Sequence, residues 1–140
     1  MSKVAVVYWS GTGNTEAMAE AVAEGARAAG ADVSVFGSGS YDSLDVTGFD
    51  GLAFGCPAMG AEVLEEDEFG PMFDKVKPLL AGKKLALFGS YGWGDGEWMR
   101  NWEEDVRANG GELSAEALIV NDAPDEEALE SCKALGAAIV

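Results

Sequence analysis

Three short stretches hold most of the residues whose types and spacing could do chemistry: "SGTGNT" (10–15), "CPAMGAEVLEE" (56–66) and "SYGWGDGEW" (90–98). The first has six small hydrogen-bonding residues and no cation. Ser10, Thr12, Asn14 and Thr15 bring side-chain donors, Gly11 and Gly13 let backbone N–H groups converge, and a helical pattern follows at once. Amides gathered at the positive end of a helix dipole form an anion site made of neutral dipoles, suited to a phosphate. No Lys-Ser/Thr pair follows, so the stretch is not a Walker loop. It has two of the three dinucleotide-fold glycines and no acidic residue near Phe36 to take a ribose. Plain N-capping by Asn14 or Thr15 is the bland alternative, but capping needs one such residue and here four stand with two glycines.

The last stretch sets Tyr91 and Trp93 among Gly92, Gly94 and Gly96, where a mobile backbone can lay a ring against a planar ligand. Met59 in the middle stretch is polarizable enough to cover a second ring face. Beside it, Gly60 permits backbone conformations closed to other residues and Glu62 offers an acceptor. Trp98, Trp102 and Val106 fall at i, i+4 and i+8 and read as a packed helix face; Cys56 reads as small buried packing. With no histidine, and with Cys56 and Cys132 far apart, imidazole acid–base chemistry, a zinc site and a Cys₄ cluster have no residues to build them. Any redox chemistry has to come from an organic cofactor.

The elements that must position these stretches are strand-like runs at 3–9, 31–36, 51–55, 84–89 and 112–120. The first, third and fourth are continuously apolar, as in strands covered on both faces. Helical patterns lie between them. One puts Met18, Val22, Gly25, Ala26 and Ala29 on a single face before Gly30. A second puts Phe69, Phe73, Val76 and Leu80 on one face, with Pro71 in its first turn and Pro78 distorting its last. A third runs through Trp98, and the last begins after Pro124 and buries Leu129, Cys132, Leu135, Gly136 and Ile139. Residues 37–50 read as a loop with a short helix. Alternating strands and helices predict one α/β domain over 1–140, a doubly wound parallel sheet with helices on both faces. In such a sheet the loops after the strands emerge together at the carboxyl edge, where ligands bind, and the three unusual stretches follow the first, third and fourth strands.

Nine Lys and Arg against 25 Asp and Glu leave a net charge of −16. That surface repels nucleic acid and anionic lipid and steers basic protein patches toward itself. The N-terminal apolar run is too short for a signal segment or a membrane span, so a cytoplasmic monomer is expected.

"VYWSGTGNTEAMA", "GCPAMG", "GKKLALFGSYGWGDGEWMR" and "IVNDAPDE" resemble the corresponding segments of flavodoxins, above all the short-chain flavodoxins of anaerobic bacteria such as clostridia and Megasphaera. The resemblance covers essentially the whole chain. It implies a five-stranded sheet of order 2-1-3-4-5, one noncovalent flavin mononucleotide (FMN) and low-potential, one-electron traffic with redox partner proteins bearing basic patches. It implies a carrier, with no catalytic residue and no metal. Position by position, Ser10, Gly11, Thr12, Gly13, Asn14 and Thr15 would hold the phosphate, with Ser90 at its outer edge. Met59 and Trp93 would cover the two ring faces, and Glu62 would accept from the ring imide. Backbone of Gly89, Ser90 and Tyr91 and of Gly60, Ala61 and Glu62 would meet the remaining polar edge. Pro57, Ala58, Gly92 and Gly94 complete the implied cofactor-binding set. Ala61 departs from the acid, serine or glycine of relatives; the resemblance implies a Gly60 peptide that turns over when the ring gains its first electron, and glycine followed by alanine suits the turned form. Two rivals share the fold type. A small FMN-dependent nicotinamide or quinone reductase would need a second substrate pocket, and a receiver module would need acids where Trp9-Ser10 and Gly55-Cys56 stand.

Overall fold

The computed structural model describes residues 2–11, 13–59, 63–92 and 94–140, so Thr12, Gly60, Ala61, Glu62 and Trp93 of the implied site lie outside the described residues. Five strands, β1 (Lys3–Tyr8), β2 (Asp32–Phe36), β3 (Gly51–Gly55), β4 (Lys84–Tyr91) and β5 (Leu118–Asn121), pair in the order 2-1-3-4-5, all parallel. The expected topology is thus the observed one. Four helices alternate with them: α1 (Asn14–Ala28), α2 (Phe69–Val76), α3 (Glu97–Ala108) and α4 (Glu126–Ala138).

Successive strand side chains point to opposite faces, and each face builds its own core. Val4, Val6, Ala53, Ala86 and Phe88 face α1 and α4; Ala5, Val7, Leu52, Phe54 and Leu87 face α2 and α3. The continuous apolar runs of β1, β3 and β4 are buried because helices cover both sides, whereas the edge strand β5 exposes alternate residues and the edge strand β2 exposes Asp32, Ser34 and Val35. Under α2 and α3 the aromatic rings meet edge to face: Trp102 with Phe69 at 5.6 Å and with Phe73 at 5.5 Å.

Helices α1 and α4 touch backbone to backbone. A Cβ on Gly25 would sit 2.0 Å from the Lys133 carbonyl oxygen, and one on Gly136 2.0 Å from that of Val22. Each glycine therefore admits the partner helix's main chain.

Several boundaries differ from the sequence reading, each for a tertiary reason. β4 runs two residues further, through Ser90 and Tyr91, because β5 pairs with it there. Only the last third of 112–120 is strand. Leu113 bridges to Leu85 and Ser114 N–H donates to the Leu85 carbonyl at 2.8 Å, but pairing resumes only at Phe88↔Leu118, so five steps on one strand face three on the other. The excess of two residues falls within the polar, weakly β-forming "SAEA". Ala29 is exposed past the end of α1, and Leu129 is half-buried. Residues 37–50 hold two 3-10 turns, Tyr41–Ser43 and Val46–Gly48, and Pro78 ends α2 in a third, Lys77–Leu79.

Candidate functional site

Backbone hydrogen bonds carry the sheet's pairing past the strand ends into the three loops. Trp9 N–H donates to Gly55 O at 3.0 Å, Cys56 N–H to Phe88 O at 3.2 Å, and Ala58 N–H to Ser90 O at 3.1 Å. The first loop is thereby registered on the second, and the second on the end of β4. Between them opens a cleft of ≈ 290 Å³. Trp9, Gly11 and Asn14 line it from the first loop, Pro57, Ala58 and Met59 from the second, and Ser90, Tyr91 and Gly92 from the third; Asp122 closes the far side.

At one end of the cleft is the start of α1. Its N-cap residue is Gly13, at φ 94°, and no side chain caps the helix. Capping by Asn14 or Thr15 is therefore not what these residues do. Ser10 Oγ accepts from Gly13 N–H at 3.1 Å, holding the loop closed. The Thr15 and Ser90 hydroxyls, both buried, lie 3.0 Å apart and tie the first loop to β4. First-turn amides without a side-chain cap, beside two fixed hydroxyls, fit an anionic group from outside the chain.

The other end is apolar. Tyr91 leans on Trp98, ring centroids 5.6 Å apart, and the Trp98 indole N–H donates to the Cys56 carbonyl at 3.1 Å. The Trp98 and Trp102 side chains are buried, as their spacing predicts; Trp98 braces Tyr91 and Cys56 beside the cleft, while Trp102 packs on Phe69 and Phe73. Cys56 is fully buried and burial pushes its thiol up to about 12, in keeping with small buried packing. Gly89 does not line the cleft: a Cβ there would stand 2.2 Å from the Cys56 carbonyl oxygen, so its smallness lets β3 and β4 carry on side by side. Gly94, at φ 87°, lies outside the cleft lining.

Trp9, Asp122 and Glu65 were not singled out from sequence. Trp9 and Asp122 follow directly after β1 and β5, where the carboxyl-edge rule alone would have pointed. Asp122 is the one non-glycine residue at positive φ (57°) among the described residues; its N–H, at 2.8 Å, and the Asn121 amide, at 3.3 Å, both donate to the Tyr91 carbonyl. Glu65 had no signal, since it reads as one acid in an acidic run. In the fold it is 5% exposed and accepts from the N–H groups of Asp67, Glu68 and Phe69 at 2.7–2.8 Å, fastening the middle loop to the start of α2. Burial raises its pKa, but the donors of Phe69, Glu68 and Asp67 outweigh burial and hold the carboxyl below the ordinary 4.5.

A depressed folded-state pKa contributes stability that is present above about pH 4.5 and lost as pH falls through the folded value. Glu65→Gln is expected to cost about 2 kcal/mol at pH 7, since charged acceptors are worth about 1.5–3 kcal/mol. The gap from the unaltered protein should narrow below pH 4.5 in urea titrations; a gap constant with pH would show that the carboxylate does not matter.

A parallel 2-1-3-4-5 sheet with an uncapped, glycine-entered helix at its switch point and an aromatic-lined cleft beside it defines the class of doubly wound proteins that bind a ligand at the carboxyl edge of the sheet. Comparison with known proteins narrows this. The sequence pattern of the family Flavodoxin matches residues 6–136. The flavodoxin of Clostridium beijerinckii is 49% identical over 121 residues, 86% of this chain and 88% of that one. That of Megasphaera elsdenii is 47% identical over 135 residues, 96% of each. The solution structure of two-electron reduced Megasphaera elsdenii flavodoxin superimposes with a TM-score of 0.84 at 44% identity, over 97% of both chains. The chain belongs to the flavodoxin family. It is an FMN-binding electron-transfer protein, and flavodoxins are carriers to redox partner proteins, not enzymes. Among the described residues no helix is long and apolar enough to cross a membrane.

Proposed function

We propose that the chain is a single flavin-binding domain that holds FMN at the carboxyl edge of its sheet, and that it carries electrons at low potential to partners presenting basic patches. The observation that supports this most is the uncapped N-terminus of α1 opening into the cleft that the three loops enclose. Ser10, Gly11, Thr12, Gly13, Asn14 and Thr15 hold the phosphate through amides and hydroxyls, with Ser90 fixed against Thr15 at the same end. Pro57, Ala58, Met59, Tyr91, Gly92 and Trp93 shape the ring site. Gly60, Ala61, Glu62 and the neighbouring backbone meet the ring's polar edge. Gly89 supports the site from beneath, and Gly94 gives the third loop its turn.

The bound flavin supplies the one-electron chemistry; the chain supplies affinity, orientation and exclusion of water. Apolar covers, a phosphate compensated only by dipoles and a net charge of −16 all oppose the negative charge that a second electron would leave on the ring, so the potential for that electron is low. Desolvation and the phosphate outweigh distant carboxylates, which are screened within about 8 Å at physiological salt. A cytoplasmic location fits the buried, unpaired Cys56 and Cys132, and the carrier is proposed to act as a monomer.

Titrating the apoprotein with FMN and with riboflavin tests the reading. Indole fluorescence should be quenched and the flavin absorbance shifted by FMN at equimolar amounts, and riboflavin should bind far more weakly. Equal affinities would remove the phosphate site from the account. With a basic partner, electron transfer should slow as salt rises, because steering is screened; a rate indifferent to salt would remove the acidic surface from docking.

A further inference from the structure

On the α2/α3 face, the connection from β2 to β3 lacks a helix and crosses in two 3-10 turns. It leaves beside α2 an open groove of ≈ 570 Å³, twice the volume of the flavin cleft. Leu44, Met72 and Val76 make its floor. At its far end is Leu79, which the 3-10 turn ending α2 turns outward, 51% exposed, the most exposed large hydrophobic side chain among the described residues. Asp42, Asp45 and Glu68 stand along the groove against a single amine, Lys75. Asp45 is held as an ordered anion: its carboxylate accepts from the Thr47 hydroxyl at 2.6 Å and from Thr47 N–H at 3.1 Å.

We propose that this groove is a second docking surface, separate from the flavin cleft, and that it takes a short segment of a partner protein carrying Lys or Arg between large aliphatic side chains. The chemistry of the walls selects that occupant. Aliphatic anchors bury on Leu44, Met72, Val76 and Leu79, while the long basic side chains keep their stems on the same floor and their charges against Asp42, Asp45 and Glu68. From Glu68 to Leu79 the groove spans eleven residues of helical rise, about 16 Å, room for about five residues of extended chain. A purely basic surface would find acids all over this molecule; only an occupant with both characters has reason to settle here. The position also suits a carrier. Tyr41 lines the groove and its hydroxyl donates to the Tyr8 carbonyl at 2.6 Å, one residue before Trp9 of the cleft. A segment bound in the groove would lie beside the cofactor site without covering it.

The proposal does not depend on the flavin reading, and its test separates the two. The ¹⁵N-labelled protein, loaded with FMN, is titrated with the peptide acetyl-Ala-Leu-Lys-Leu-Arg-Leu-Ala-amide, whose three Leu share one face of a five-residue extended core, and with a control in which each Leu is Ser. Amide shifts should move at 42–46 and 68–79 and stay still at 10–15 and 90–92, with the flavin absorbance unchanged. The Ser control should bind at least tenfold more weakly, and Leu79→Ser and Asp42→Lys, both at exposed sites, should each weaken the Leu peptide at least threefold. Equal binding of the two peptides, shifts spread over α1 and α4, or binding indifferent to both substitutions would overturn the proposal. Failure of the protein to take up added FMN would overturn the flavin reading alone, because the shifts at 42–46 and 68–79 can then be read on the protein without FMN.

Discussion

Gly136→Ala is expected to lower the free energy of unfolding by about 2–3 kcal/mol, although alanine is the better helix former by about 1 kcal/mol. The added methyl would lie 2.0 Å from the Val22 carbonyl oxygen and 3.0 Å from the Ala26 nitrogen, all backbone atoms of a neighbouring helix that cannot rotate away. Relief requires α1 and α4 to separate by more than an ångström. That separation opens gaps among Met18, Val22, Cys132 and Leu135, whose packing attraction falls steeply with distance. Gly25→Ala should cost as much, because its methyl would meet the Lys133 carbonyl of α4 at the same 2.0 Å. The double variant should cost less than the sum, since one separation relieves both clashes. Gly48→Ala is the control: nothing lies within 4 Å of a Cβ there. Urea midpoints at unchanged slope give the comparison. If Gly136→Ala unfolds at the same midpoint as Gly48→Ala, the helices are not in the close contact described.

Asn14→Asp should weaken FMN binding about 100-fold while leaving the apoprotein as stable as before, or more so. Asn14 is the first residue of α1 and lines the cleft. A carboxylate at a helix start interacts favourably with the dipole, by about 0.3–1 kcal/mol. The same carboxylate would face the phosphate proposed for that site. Two unit charges about 5 Å apart at an effective dielectric of about 20 repel by about 3 kcal/mol, close to the 2.7 kcal/mol of a hundredfold change. The opposed signs make the result diagnostic: apoprotein melting unchanged or raised, FMN affinity down, riboflavin affinity within about threefold. A parallel loss of riboflavin would mean that Asn14 shapes the ring site and not the phosphate site. Unchanged FMN affinity would place the phosphate elsewhere.

Both experiments turn on one feature of the chain, a helix that begins with no cap of its own and is pressed closely against its neighbour. Gly25 and Gly136 let α4 seat on α1, and Ser10 and the Thr15–Ser90 pair fix the turn that leads into α1. A site built of neutral dipoles has no single strong ion pair to organise it. Its affinity therefore rests on how well the surrounding packing holds the amides in place.

The sequence by itself determined the class of fold and the loops that meet at one edge, because those rest on local signals; the strand order was only what the family resemblance implied. Apolar runs mark β1, β3 and β4, helical spacing marks α1 and α3, and glycine with hydroxyl residues marks the first loop. Only the tertiary structure decided where β5 truly pairs, that Ser90 and Tyr91 belong to β4, and that Gly89 spaces two strands instead of lining the cleft. It also singled out Glu65 among its acidic neighbours and set Trp9 and Asp122 at the cleft wall. The physical reason is range: periodicity and turn chemistry are written within a few residues, whereas a carboxylate's partners, a glycine's clearance and an edge strand's register depend on atoms that only folding brings near.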